Sequence, residues 1–264
     1  AANDKEAQYQ KLVDMFSDLT SPEKIYVRKY IYPTITHGYD AYSAPLIFRA
    51  PLSSETCPTL DFVELFDGFD HYADGTMKVT DGASNTDGNY LMFDTPMDFF
   101  KNAEPRLRAY VIFPGDMFKG REIEIRAGIY TGNTPIKPFF NDYSFANADT
   151  HYQDLNAYTS NPKTLYLSPK MENQEVVKYN GKDMTAGGEN GRKWLNPDPS
   201  FAAGEGKSAQ PFILMRYAEV LLNAAEAAIE LSMAGVTSPD GEDLLQLATK
   251  AVNDIRERAG ATLL

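Results

Sequence analysis

The chain has 264 residues, 43% of them hydrophobic and 23% charged, a balance that suits a globular protein. Its net charge of −12, from 37 acids against 25 bases, leaves no basic excess to neutralise phosphates and so argues against nucleic acid or anionic lipid as a partner. A single cysteine excludes an intrachain disulfide and offers no metal-site spacing, and no apolar run reaches the length of a transmembrane segment.

Residues Glu6 to Leu19 are expected to form a helix, with Tyr9, Leu12, Val13 and Phe16 on one face and Ser21-Pro22 as its stop. Ile25 to Tyr32 alternates, with Ile25, Val27 and Ile31 against Tyr26, Arg28, Tyr30 and Tyr32, which predicts a strand with one aromatic face. Thr36 to Ala50 is expected as a loop, residues 58–66 as a short helix opened by Pro58, and Asp67 to Gly88 as turns. A further helical turn is expected over Pro96 to Asn102. Arg108 to Phe113 and Glu122 to Tyr130 suit two strands of a hairpin, with the reversal beginning at Pro114-Gly115. From Thr131 to Ser208 the chain reads as mostly loop, with short strands at most at Leu165 to Leu167 and Val176 to Tyr179.

Two amphipathic helices close the chain. In Ile213 to Ala227 the apolar positions Leu214, Ala218, Leu221, Leu222, Ala225 and Ile229 follow helical spacing, with Pro211 at the expected start. Small residues on that face let a neighbouring helix come close. Leu244, Ala248, Ala251, Val252, Ile255 and Ala259 repeat the pattern, Glu242 and Asp243 put negative charge at the start, and Gly260 marks the stop. The Ser238-Pro239-Asp240-Gly241 turn between them predicts an antiparallel hairpin. Alone, such a pair cannot bury both stripes, and exposed stripes would invite self-association.

The run Pro211 to Ala227, followed by Ala251 to Gly260, resembles the SusD/RagB family of outer-membrane nutrient-binding lipoproteins of Bacteroidetes. Three other stretches resemble it in the same order: Cys57 to Phe66 with Asp74-Gly75-Thr76; Glu104-Pro105-Arg106-Leu107-Arg108, like a "DPRL" segment with Glu104 for Asp; and Gly191 to Pro197, like "RKY-x-x-P" with Trp194 for Tyr. Glu23 to Tyr26 echoes the family's "EVIF" strand. The resemblance implies an irregular α+β fold, with a tetratricopeptide-like helix pair over 211–260 and a loop-rich region of short β-hairpins over 1–210, in one domain fragment spanning 1–264. It also implies a lid-like partnership with a SusC-like TonB-dependent transporter, and a lipid anchor on the extracellular face of the cell outer membrane. No signal-peptide pattern opens the chain, and the family's usual segment after the "RAG" element is not there, so a piece of a longer protein is expected.

The chemistry to look for is sugar binding. Aromatic rings stack on the C–H faces of sugars, and a few placed polar groups satisfy the hydroxyls. Two loops mix these types: His37 to Tyr42, with Phe69, Asp70, His71 and Tyr72 as possible neighbours, and Phe139 to Tyr158. The competing explanation is that the same rings fill an irregular core. In the resembled family, ligand-contacting aromatics lie on the loop after the "EVIF" strand. The ligand-binding residues expected here are therefore Tyr39, Asp40, Tyr42, Phe69, His71 and Tyr72, with Trp194 assigned to the core.

Other chemistry finds little footing. Asp81 to Gly88 lacks the glutamate and spacing of a helix-loop-helix calcium site, and His37, His71 and His151 form no metalloprotease pattern. Gly187 to Lys193 fails as a phosphate loop because Trp194 follows the lysine, Cys57 has no identifiable base, and no nucleophile elbow occurs. No cofactor and no enzymatic activity are expected. The leading expectation is a glycan- or nutrient-binding subunit. The alternative is a docking module that contacts the transporter with no ligand site of its own; a carbohydrate-active enzyme with a hidden carboxylate pair comes third.

Overall fold

The computed structural model describes residues 4–45, 48, 58, 60–84, 87–88, 91, 93, 95–113, 115–123, 129–130, 152–153, 176–179, 182–185 and 190–264. Cys57, the Leu165–Leu167 strand expectation and nearly all of the loop at 139–158 lie outside them.

Helix α1 runs Lys5–Ser17. The Asp4 carboxylate caps it by accepting from the Ala7 N–H at 3.1 Å, which satisfies one of the donors a helix start leaves free. Tyr9, Leu12, Met15 and Phe16 are buried, and Val13 is only half-buried. The face is therefore turned slightly from the expected one. Burying side chains of this size contributes roughly 1.5–3 kcal/mol each.

Strand β1, Lys24–Arg28, pairs antiparallel with β10, Phe212–Arg216, through Lys24↔Arg216, Val27↔Ile213 and Arg28↔Phe212. This corrects the expected helix start: residues 212–216 are strand, and helix α5 begins afterwards, at Tyr217–Met233. The run Phe212-Ile213-Leu214-Met215 fits a helix face and a strand equally well, and pairing with β1 decided it. The Tyr217 N–H donates to the Glu23 carbonyl at 2.8 Å and closes the junction.

Helix α2, Tyr39–Ser43, occupies part of what was expected as loop, and α3, Leu60–Val63, is shorter than the expected 58–66. A 3-10 turn spans Pro96–Phe100, in line with the helical turn expected there. Residues 108–110 are not strand. Pro105 opens helix α4, Pro105–Tyr110, and β2 is only Val111–Ile112. Among the described residues its partner is β9, Asn190–Gly191, while most of the expected 122–130 strand lies outside them. A tight hairpin joins β3, Met117–Phe118, to β4, Arg121–Glu122. Its reversal is at Lys119-Gly120, with φ of 50° and 74°, the two positive values that a tight hairpin turn requires. Three more short strands precede β9 beyond β5, Ile129–Tyr130: β6 at Tyr152–Gln153, β7 at Val176–Tyr179 and β8 at Lys182–Thr185, paired as β5–β6 and β7–β8.

Two cores flank α4 and β2. One holds Val63, Phe66, Phe100, Leu107 and Phe113, with the Phe100 and Phe113 rings stacked 3.8 Å apart. The other holds Ala44, Ile112, Phe118, Ile123, Leu195 and Ala203. The Asp116 carboxylate is fully buried and shared by Arg108 (2.9 Å) and Arg192.

The last helix, α6, spans Leu244–Ala259. Asp243 is its N-cap, accepting from the Leu245 and Gln246 N–H groups, and Gly260 ends it at φ 74°. α5 and α6 meet through Ala225, Ala228, Ala248 and Ala251, whose small side chains allow a close approach. The hairpin is tied to the rest by Arg256 to Asp67 at 2.7 Å and by Arg258 to Glu23. The fold is α+β and irregular, with a helical pair at its C-terminal end.

Candidate functional site

The described residues form an open aromatic cavity of about 360 Å³ beside α2. Its walls are the rings of Tyr30, Tyr39, Tyr42, Trp194 and Phe212, with His37, Gly38, Gln210 and Pro211 completing the lining. Four chain segments meet there: the end of β1's extension, the start of α2, the 191–197 stretch and the lead-in to β10.

Backbone hydrogen bonds hold these segments in register. His37 and Ser208 exchange N–H···O bonds at 2.9 and 3.0 Å. The His37 ring joins both walls, since Nδ1 accepts from the Tyr39 N–H at 3.2 Å and Nε2 lies 3.0 Å from the Gln210 carbonyl. That pairing fixes the neutral tautomer with the proton on Nε2. The Tyr30 ring meets His37 edge-on at 4.5 Å. The Tyr39 hydroxyl donates to the Lys193 carbonyl at 3.1 Å, and its ring stands edge-on to Trp194 at 6.3 Å. Gly38 is required by Tyr42: a Cβ there would come within 2.8 Å of the Tyr42 ring.

Of the six expected ligand-binding residues, Tyr39 and Tyr42 line this cavity. Asp40 is outside the lining and buried, at 1% exposure. Its Oδ1 accepts from the Asn196 N–H at 2.6 Å, and its own N–H donates to Ser208 Oγ at 3.1 Å. Asp40 thus positions the α2 turn. Phe69, His71 and Tyr72 are absent from the lining. Phe69 packs on the Val63–Phe113 core, beside Phe99 and Phe100. Tyr72 is buried, and its hydroxyl serves Thr80 Oγ1 at 2.7 Å and the Thr80 N–H at 2.9 Å. His71 is exposed and bridges to Met77 through its backbone.

Trp194 was expected in the core; it is half-buried and lines the cavity. Its φ of 69° is unusual for a bulky side chain and turns the ring toward Phe212, 5.2 Å away. Tyr30 and Phe212 also escaped the expected site. The alternating aromatic face of the strand pointed to Tyr30; Phe212 was hidden because its run read as helix. On the far side of Trp194, the Lys193 ammonium lies 4.2 Å from the indole centre, 4.9 Å from Tyr110 and 5.3 Å from Phe16. Burial, with Arg216 adding to it, brings the Lys193 pKa down to about 8.

Among the described residues no group of three or more His, Cys, Asp and Glu side chains could hold a metal ion, and no described helix is long and apolar enough to cross a membrane. The cavity lining is mostly aromatic, with a few polar groups among the rings.

The sequence matches the SusD family over residues 50–264. No curated protein matches it. Among solved structures it is similar to a SusD-like protein from Bacteroides fragilis, at 20% identity and a TM-score of 0.49, over 97% of this chain and 40% of that one. It is also similar to a SusD-like carbohydrate binding protein from the same species, at 18% identity and a TM-score of 0.49, over 99% of this chain and 42% of that one. The chain therefore spans about two fifths of the length of these structures. With more than half of its residues matched by the family, this chain belongs to the SusD family.

Proposed function

We propose that the chain is part of a glycan-capturing subunit of an outer-membrane uptake system, one that binds oligosaccharide and passes it to a SusC-like TonB-dependent transporter without performing chemistry on it. The observation that carries this reading is the cavity walled by Tyr30, Tyr39, Tyr42, Trp194 and Phe212. A cavity of about 360 Å³ lined by aromatic residues offers room for a sugar ring or two, with tyrosine hydroxyls and Gln210 as sources of polar contacts. Membership of the SusD family supports nutrient binding as the general role. A lipid anchor on the extracellular face of the outer membrane belongs to the same reading.

Affinity electrophoresis against a panel of polysaccharides tests it. Retardation by one glycan, lost in Tyr42→Ala and Trp194→Ala, is the expected outcome. Retardation unchanged by both substitutions would remove the cavity from the site.

A second reading is a docking module. It is favoured by the exposed apolar side chains of β1, β10 and α5: Tyr26 at 62%, Leu214 at 48%, Tyr217 at 53% and Leu222 at 52% exposure. A chain that binds no glycan and is retained by its transporter would favour this reading over the first.

A further inference from the structure

A second cavity, of about 250 Å³, lies against the other part of β10 and shares Trp194 with the aromatic one. Phe16, Leu214 and Leu222 give it apolar walls, and Lys193, Arg216 and Glu219 supply its charges. The charges are unequally matched. Arg216 is engaged by Glu23, at 3.0 Å from Nη1. Glu219 is exposed in the first turn of α5. Lys193 is set among three rings, and no carboxylate among the described residues offsets its burial.

Half-buried, the ammonium has no oxygen acceptor among the described residues. Ring faces attract a cation weakly, by about 0.5–2 kcal/mol, and do not replace the hydrogen bonds it has lost from water. An anionic oxygen in the cavity would supply them, with a charge-assisted bond in an environment that screens little. A saccharide seated on the Trp194 side of the aromatic cavity brings the next sugar unit toward the same indole.

We propose that the cavity bearing Lys193 accepts the acidic group, a carboxylate or a sulfate, of a charged saccharide whose neighbouring unit occupies the aromatic cavity. The proposal rests on the glycan-binding reading above and names its substrate class. The negative net charge of the whole chain does not oppose it, because distant surface acids are screened over about 8–10 Å; the cavity's own acid, Glu219, is exposed on its rim.

The test is titration calorimetry of the whole chain with three probes of similar length: neutral galacto-oligosaccharides, oligogalacturonides and sulfated galactan oligosaccharides. Lys193→Met keeps the apolar stem and removes the charge; Lys193→Arg keeps the charge. The expected result is that one acidic probe binds about tenfold tighter than the neutral one, the size of one charge-assisted hydrogen bond. That preference should vanish in Lys193→Met, persist in Lys193→Arg and weaken with added salt. The probe that shows it tells carboxylate from sulfate. Equal binding of neutral and acidic probes, untouched by Lys193→Met, overturns the proposal and leaves the glycan-binding reading standing. Binding of no probe, acidic or neutral, counts against both.

Discussion

The Tyr39 hydroxyl donates to the carbonyl of Lys193, 154 positions further along the chain, at 3.1 Å. One side chain therefore does two things: its ring walls the aromatic cavity, and its hydroxyl fixes the backbone that carries Trp194 into the same cavity. The two parts can be separated. Tyr39→Phe keeps the ring and should cost about 0.5–1.5 kcal/mol of stability, with a modest loss of glycan affinity. Tyr39→Ala should abolish retardation in affinity electrophoresis. Equal binding by both variants would show that the ring is not used.

The second prediction concerns Asp116. Its fully buried carboxylate faces two guanidiniums, Arg108, which is also paired with Glu6 at 2.7 Å, and Arg192, whose side chain is 5% exposed. Asp116→Ala leaves Arg192 charged and buried with no acid, and should lower stability by about 3–5 kcal/mol in urea unfolding. Replacing both members, Asp116→Ala with Arg192→Met, should recover much of the loss. A double variant no more stable than Asp116→Ala would contradict the uncompensated charge as its cause.

Glu104 gives a pH dependence. It is 2% exposed, and burial raises its pKa even though Arg106 Nε lies 2.6 Å from Oε1 and pulls the other way. Oε2 has no hydrogen-bond partner among the described residues, so the cost of burying the charged form is only partly offset. The folded-state pKa lies above the unfolded one, so the native state binds the proton more tightly. This contribution is fully present below the ordinary glutamate pKa of about 4.3 and is lost as pH rises through the raised value. Glu104→Gln, which cannot lose a proton, should therefore gain stability relative to the parent as pH is raised from about 4 to 7. Urea midpoints measured across that window check it, and parallel curves for the two proteins would refute it.

Gly260 and Gly241 make a matched pair. Both have positive φ, 74° and 72°, so alanine at either position should cost about 1–2 kcal/mol of backbone strain. At Gly241 a Cβ would meet nothing within 4 Å. At Gly260 it would come within 2.6 Å of Pro105 Cδ and 2.7 Å of Gln8 Oε1. Gly260→Ala should be the more destabilising by about 1–3 kcal/mol, the cost of forcing apart the end of α6, α1 and α4. Equal thermal shifts would show that the helix end yields without resistance.

Much of this architecture could be read locally. The α1 face, the α5–α6 hairpin, the Gly260 stop and the 3-10 turn after Thr95 rest on periodicity and capping chemistry, which act within a few residues. Tyr39 and Tyr42 were expected together on one loop; the structure puts them on one turn of α2 instead. Where local signals were balanced, the reading failed. Phe212 to Arg216 carries no alternation, and Arg108 to Tyr110 has strand-like neighbours and a proline-led helix start at once. Strand partners such as Val111 with Gly191 are 80 residues apart, and no turn signal connects them.

The sequence by itself determined the family, the helical pair and the presence of many aromatic rings. It could not say which rings face a cavity and which fill the core, because both uses ask for the same side chains. Tertiary structure decided that. The His37–Gln210, Asp40–Asn196 and Tyr39–Lys193 hydrogen bonds draw together segments more than 150 residues apart, and so set Tyr39, Tyr42 and Trp194 around one space while Phe69 and Tyr72 pack elsewhere. The physical reason is that a side chain's burial is fixed by what packs against it, and here the neighbours come from the far end of the chain.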